Sequence, residues 1–335
     1  MNAARRQRAL GLACAFLAFA SPCRSAPPVA ASGYVLADGS IRIVAEKTME
    51  PVLSRLNTLM TRRHPELRFH MIFGDVPVGL DGIIARVSLL APLAHDAWES
   101  EIDPFKRLNG YRPLDVRIGR LGHAGAGRAN PPSIYVNAAN PLRSLDIDRV
   151  SRVFTTGHLP GDLRRWNQLG IVGEWEKHAI HVYGTRDDGM TTTALRLARF
   201  GARPFVRHYE ALPADRDVLE AVAGDRYGIG LAGFVAESDV PNAVRRLALS
   251  ESPSAIASLA SYEDVRGGRY ALSPSLHFYV DRAPNSPLDP IAAEYIRLAL
   301  SAEGQRILAE LKDTAAGFVP LEPEEAAREL AKLER

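Results

Sequence analysis

Cysteine is nearly absent from this 335-residue chain: the two that occur, Cys14 and Cys23, both lie among the first 26 residues. A disulfide framework is therefore excluded for the rest, and stability has to come from burial, which a chain of about 310 residues can supply. Long hydrophobic runs are also missing. Beyond the N-terminal stretch no apolar run approaches the roughly 20 residues that span a bilayer, so no stable membrane insertion is expected. A surplus of one charge is lacking too, with 41 Lys+Arg against 39 Asp+Glu. Nothing in that balance suggests a nucleic-acid footprint.

The usual signatures of enzyme chemistry are equally scarce. There is no G-x-S-x-G, no H-E-x-x-H and no P-loop. Gly125-Ala-Gly127 lacks the third glycine and the preceding strand of a dinucleotide site and reads as a loop. His178 and His181 fall in an expected strand, where their rings would face opposite sides, and no third metal ligand is near in sequence. Asp187 and Asp188 are adjacent rather than facing, unlike a glycosidase pair. No enzyme, metal or cofactor is expected, although a secreted hydrolase using unplaced Asp and His residues stays as a distant third alternative.

What is present begins with the N-terminus. Arg5, Arg6 and Arg8 precede an apolar run from Ala9 to Ala20, and small residues follow at Ser21, Ser25 and Ala26. This is the layout of a secretory signal peptide over residues 1–26, cleaved after Ser25 or Ala26. Pro22 fits Cys23 badly to a lipid-modified site. The leader holds four arginines and no acid, so the mature chain has 37 basic against 39 acidic residues, a net charge of −2. A periplasmic or secreted protein follows as the expectation.

The mature length suggests two lobes. Ile41 to Val44 reads as a strand, Pro51 to Arg63 as an amphipathic helix and Leu67 to Phe73 as a second strand. That β-α-β unit opens an α/β sheet. Further strands are expected at Ser133 to Asn137, His178 to Tyr183, Gly228 to Phe234 and Tyr270 to Val280. Helices are expected at Leu145 to Phe154, Thr191 to Phe200 and Val218 to Ala223, then a long one from Pro290 to Leu311 and a helical tail after Pro323.

Several stretches occur in a telling order: Asn137-Ala-Ala-Asn140-Pro141-Leu, the run Leu145 to Gly157 and Arg165-Trp166-Asn-Gln-Leu-Gly170, together with Glu101 to Pro113, Tyr270-Ala-Leu-Ser273, Leu300 to Gln305 and Gly317 to Pro320. Taken together they resemble passages of the PstS-like phosphate receptors of ABC importers, which have the type 2 periplasmic-binding-protein fold. The resemblance covers most of residues 40–321. It implies two open mixed sheets flanked by helices and joined by two crossover strands near Ser133–Asn137 and Tyr270–Phe278. It further implies a first lobe of 34–130 plus 275–335, a second of 131–274, and a ligand in the cleft between them. A monomeric receptor that binds phosphate or a related oxyanion and serves an ABC permease is what the resemblance implies.

The richest constellation runs from Tyr183 through Arg186, Asp188, Gly189, Thr191 and Thr192. A strand ends, a turn follows and a helix begins, so free N–H groups and the helix dipole make an anion site there. Arg186 adds a fork of donors suited to an oxyanion, and Asp188 could accept the proton of a partly protonated one. The family motif here resembles R-x-D-G-S-G-T, onto which Arg186, Asp188 and Thr192 map. Met190 and Thr191 depart from it. An alternative reads Asp188 and the threonines as helix caps and Arg186 as their surface partner.

The first lobe departs further from the family. Its first turn is Ala45-Glu46-Lys47-Thr48-Met49, in which Lys47 and Thr48 can serve an anion and an inward Glu46 would repel it. Asp75 or Val76 stands in the place of a serine, and His95 in that of an arginine. The runner-up reading is therefore a diverged PstS-like protein that binds another ligand or acts as a sensor or surface protein.

Overall fold

The computed structural model describes residues 33–75, 78–124, 131–187, 190–233 and 235–334. The expected signal peptide, Val76, Asp188 and Gly189 lie outside them. The first part of the chain runs β1 (Ile41–Glu46), α1 (Glu50–Arg63), β2 (Phe69–Gly74), α2 (Val78–Ile84), β3 (Ala91–Leu93), α3 (Glu99–Asn109) and β4 (Leu114–Arg120). The middle continues with β5 (Ser133–Asn137), β6 (Ser144–Asp146), α4 (Ile147–Phe154), β7 (His181–Thr185), α5 (Met190–Arg199) and β8 (Tyr209–Leu212). After α6 (Asp215–Gly224) come β9 (Gly228–Ala232), β10 (Val244–Arg246), β11 (Ala248–Ser250) and α7 (Tyr262–Arg266). The chain closes with β12 (Ser275–Val280), α8 (Pro290–Leu300), α9 (Ala302–Glu310) and α10 (Pro323–Leu330).

The opening β-α-β unit forms as its pattern dictates. β1 and β2 pair in parallel, with Ile41 opposite Phe69 and Glu46 opposite Gly74. Between them α1 buries Val52, Leu53, Leu56 and Met60 on one face, the spacing of an apolar helical stripe. β12 returns late in the chain to lie antiparallel between β3 and β4. One core joins these elements to α8, α9 and α10, around Leu53, Val116, Phe278 and Tyr295.

A second body is built on a five-stranded sheet ordered β10-β5-β9-β7-β8. It is mixed: β7 runs parallel to both β8 and β9, whereas β5 is antiparallel to β9 and β10. Its own core holds Ile134, Phe154, Trp166, Ile229 and Leu249. Trp166 and Trp175 meet edge-on there, with ring centroids 5.6 Å apart. The fold is thus two-lobed and mixed α/β, with sheets flanked by helices.

The connections differ in detail from the sequence reading. Ser133–Asn137 lies wholly inside the five-stranded sheet as β5, and the last strand begins at Ser275 rather than Tyr270. The two passing segments lead into those strands, and their described residues bond to each other. Leu121 N–H donates to the Pro274 carbonyl at 3.0 Å, and Ser273 Oγ donates to the Leu121 carbonyl at 2.8 Å. Tyr270 is turned inward, where its hydroxyl donates to the Pro132 carbonyl at 2.8 Å. The long C-terminal helix is two helices. Ser301, with ψ 162°, breaks the path and its hydroxyl caps α9 through the Gly304 N–H.

Candidate functional site

β1 delivers Glu46 to the lip of the first lobe, and the turn after it carries Lys47 and Thr48. Glu46 is buried, 6% exposed. Its Oε2 accepts from the Ala94 N–H at 2.8 Å and lies 3.2 Å from His95 Nδ1. His95 Nε2 in turn lies 3.1 Å from Glu101 Oε2. Glu101 also accepts from the Trp98 N–H at 2.7 Å, which starts α3. Burial pulls the His95 pKa down, but the hydrogen bonds and charges of Glu101 and Glu46 outweigh it and lift it to about 9. Burial likewise pushes Glu46 up, while His95 and the Ala94 amide hold it below the usual carboxylate range. The His95 imidazolium is therefore clamped between two carboxylates of its own lobe.

A second imidazole repeats the arrangement. His277 on β12 lies with Nδ1 2.6 Å from Asp115 Oδ1 and Nε2 3.0 Å from Asp96 Oδ1. Burial lowers its pKa, and the two aspartates overcome that and raise it to about 9. Glu46, Glu101, Asp96 and Asp115 thus surround two imidazolium groups, so this wall is negative on balance.

The opposite wall is one face of α5, set out at helical spacing as Thr191, Ala194, Leu195, Ala198 and Arg199. The two walls, with Leu121, Pro132 and Leu272 from the passing segments, enclose a cavity of about 160 Å³. Glu46, Thr48, His95, Asp96 and Trp98 line its first-lobe side.

Of the residues singled out from sequence, Thr48 and Thr191 both line this cavity, one from each lobe. Lys47 turns outward: its Nζ is paired with Glu50 Oε2 at 2.6 Å and sits 5.4 Å above the Phe73 ring. Asp75 is exposed on the turn after β2, away from the cavity lining. Arg186 is exposed in the turn before α5. Thr192 is fully buried, and its Oγ1 donates to the Arg186 carbonyl at 2.6 Å, so it fixes the turn rather than facing the cavity. Asp188 and Gly189 lie outside the described residues.

Sequence reasoning missed Asp96, Trp98 and Arg199, which share the far end of the cavity. It also missed Asp215, whose Oδ1 accepts from the Gly233 N–H at 2.6 Å; burial raises its pKa despite that bond. Gly233 leaves room beside Thr191, since a Cβ there would stand 2.8 Å from Thr191 Oγ1 and 2.9 Å from Asp215 Oδ2. Away from the cleft, His178 precedes β7 and stacks on Tyr227 at 3.8 Å, while His181 Nδ1 lies 2.6 Å from Asp225 Oδ2. Among the described residues no group of three His, Cys, Asp or Glu could hold a metal ion. No helix among them is long and apolar enough to cross a membrane.

No family model matches the chain. It is 24% identical over 298 residues to the phosphate-binding protein PstS of Pseudomonas aeruginosa, a match covering 88% of this chain and 87% of that protein. Among solved structures it resembles PstS from Borrelia burgdorferi, with a TM-score of 0.56 and 14% identity over 84% of this chain and 99% of that one. It also resembles an ABC-type phosphate transport receptor from Vibrio cholerae, with a TM-score of 0.53 and 15% identity over 84% and 99% of the two chains. The extent of the sequence match and the two-lobed architecture agree: the chain is similar to the phosphate-binding protein PstS along most of its length and has the fold of the periplasmic binding proteins.

Proposed function

We propose that this protein is an exported solute-binding receptor that captures phosphate or a similar oxyanion in its interlobe cleft and hands it to an ABC importer. The observation that carries the reading is the cavity between the turn after β1 and the first turn of α5. Those are the elements on which the family motif places its oxyanion ligands. Arg186 and the amides ahead of α5 would supply the positive end, with Asp188, Gly189 and Thr191 completing the turn. Thr48 would reach in from the first lobe. The lobe division at 34–130 plus 275–335 against 131–274 belongs to the same proposal and is supported by the separate cores. So do the cleaved leader over residues 1–26, the periplasmic or secreted location and the monomeric state. Closure on a ligand would be a hinge motion absorbed where the two passing segments bond to each other. The relatives are named as binding proteins and transport receptors, and on this reading the chain binds without doing chemistry.

One observation favours a second reading, a diverged receptor whose ligand is not free phosphate. The imidazolium of His95, at the place of the family's arginine, is neutralised by Glu46 and Glu101. A dianion brought against this wall would lose water without gaining a free cation. Calorimetric titration of the mature protein with orthophosphate, sulfate and arsenate separates the two. Heat at micromolar phosphate supports the first, and silence at millimolar phosphate removes it.

A further inference from the structure

We infer that the cavity beside α5 is a subsite for the organic part of a larger ligand, and that the receptor prefers an ammonium-bearing phosphate monoester or phosphonate to inorganic phosphate. The inference rests on the oxyanion reading above and concerns the same cleft.

Its length is the first argument. The cavity follows α5 from Thr191 in the first turn to Arg199 in the last. Eight residues at 1.5 Å each make about 12 Å of wall. A single tetrahedral anion at the helix start would leave most of that unfilled. The wall is also the wrong chemistry for an ion alone, because Ala194, Leu195 and Ala198 face Leu121, Pro132 and Leu272. Apolar walls of this kind take a short carbon chain.

The far end has polar groups within reach of a ligand. Asp96 and Trp98 share it with Ala198 and Arg199. Asp96 meets His277 through Oδ1 and its side chain is 56% exposed, so a ligand cation can reach it by displacing water. The Trp98 indole N–H is buried and without a hydrogen-bond partner among the described residues. A buried donor in that state costs free energy that a ligand acceptor would recover. Arg199 is already engaged by Glu251. With Glu46, Glu101, Asp96, Asp115 and Glu251 against His95, His277 and Arg199, the charges around this end sum to a negative field. An ammonium group fits beside Asp96, and an oxygen on the same molecule fits the indole N–H.

The test compares O-phosphoserine, phosphoethanolamine and orthophosphate by calorimetry on the mature protein. Both amines should bind about tenfold or more tightly than orthophosphate, from burial of the carbon chain and pairing at Asp96. O-phosphoserine, which brings an acceptor, should bind at least as well as phosphoethanolamine. Asp96→Asn should weaken both amines and, because it removes a negative charge from the cleft, leave orthophosphate equal or tighter, so the amine preference disappears. Ala194→Phe, which fills the cavity, should weaken the amines more than orthophosphate, with circular dichroism reporting that each variant folds; a loss shared equally by all three ligands overturns the inference. Equal or tighter binding of orthophosphate overturns the inference while keeping the oxyanion receptor. Binding by none of the three removes the oxyanion reading and the inference with it.

Discussion

The two walls of the cleft are built on opposite principles. The first-lobe wall is dense in charge, yet its charges are matched internally: Glu46, His95 and Glu101 form one cluster, and Asp96, His277 and Asp115 another. The second-lobe wall is the face of a helix with few charges, preceded by an exposed arginine. A charge that is already paired stabilises the fold and offers little to a ligand. Arg186 in its short turn is exposed, so its contacts can be exchanged for a ligand's without uncovering a buried charge. The comparison therefore teaches that residue type alone does not identify a binding wall; how deeply each charge and its partners are buried decides it.

The largest expected effect breaks the first wall. In His95→Leu the side chains of Glu46 and Glu101, 8% and 4% exposed, would face each other without a cation. Stripping one partner from buried charges costs about 3–5 kcal/mol, to be read from urea unfolding. His277→Leu should cost less, roughly 1–2 kcal/mol, because Asp96 and Asp115 are 56% and 46% exposed and can recover water. Equal losses would mean that the two clusters are not distinguished by burial.

The same wall sets a pH dependence. Both imidazoles have folded pKa values near 9, above the ordinary 6.5. The folded state holds protons that the unfolded chain releases, so their contribution is complete below about pH 6.5 and is lost as pH rises through 9. Up to about 3 kcal/mol per imidazole is at stake. Chemical denaturation at pH 6.5, 8 and 9.5 should show stability falling, and His95→Leu should flatten the fall. A stability that rises across this window would refute the clamp.

Much of the frame is legible in the sequence because it follows local periodicity. The stripe of Val52, Leu53, Leu56 and Met60 makes α1 whatever surrounds it, and Ser133–Asn137 is the strand its β-formers indicate. The break at Ser301 was hidden, since the apolar pattern runs through it and only the capping of α9 reveals two helices. Strands of three residues, such as β3 and β10, exist through their neighbours rather than through a pattern of their own. The site divides in the same way. The turn before α5 is a local signal. The meeting of Asp96 and Trp98 with Arg199 joins residues about a hundred positions apart, and no spacing encodes it. A turn residue's direction is also tertiary, and Lys47 is turned toward Glu50 and Phe73.

A smaller effect sharpens the second wall. Arg186→Ala removes a charge-assisted donor, worth about 1.5–3 kcal/mol or roughly ten- to a hundredfold in oxyanion affinity. Being exposed, it should change unfolding free energy by less than about 0.5 kcal/mol. A variant that unfolds early while binding normally would assign Arg186 to the helix cap instead.

The smallest effect tests whether the turn is held in place for binding. Thr192 is buried with its hydroxyl on the Arg186 carbonyl, so Thr192→Val keeps the volume and deletes that bond. The unfolding free energy should fall by about 1 kcal/mol. The consequence for affinity should be indirect, because Thr192 does not line the cavity: Arg186 would be less well positioned, and binding should weaken a few-fold. In the Arg186→Ala background the same change should cost the same stability and no further affinity. Additive losses of affinity in the double variant would mean that Thr192 acts on the ligand by its own route, and the turn would then offer two contacts where the geometry gives one.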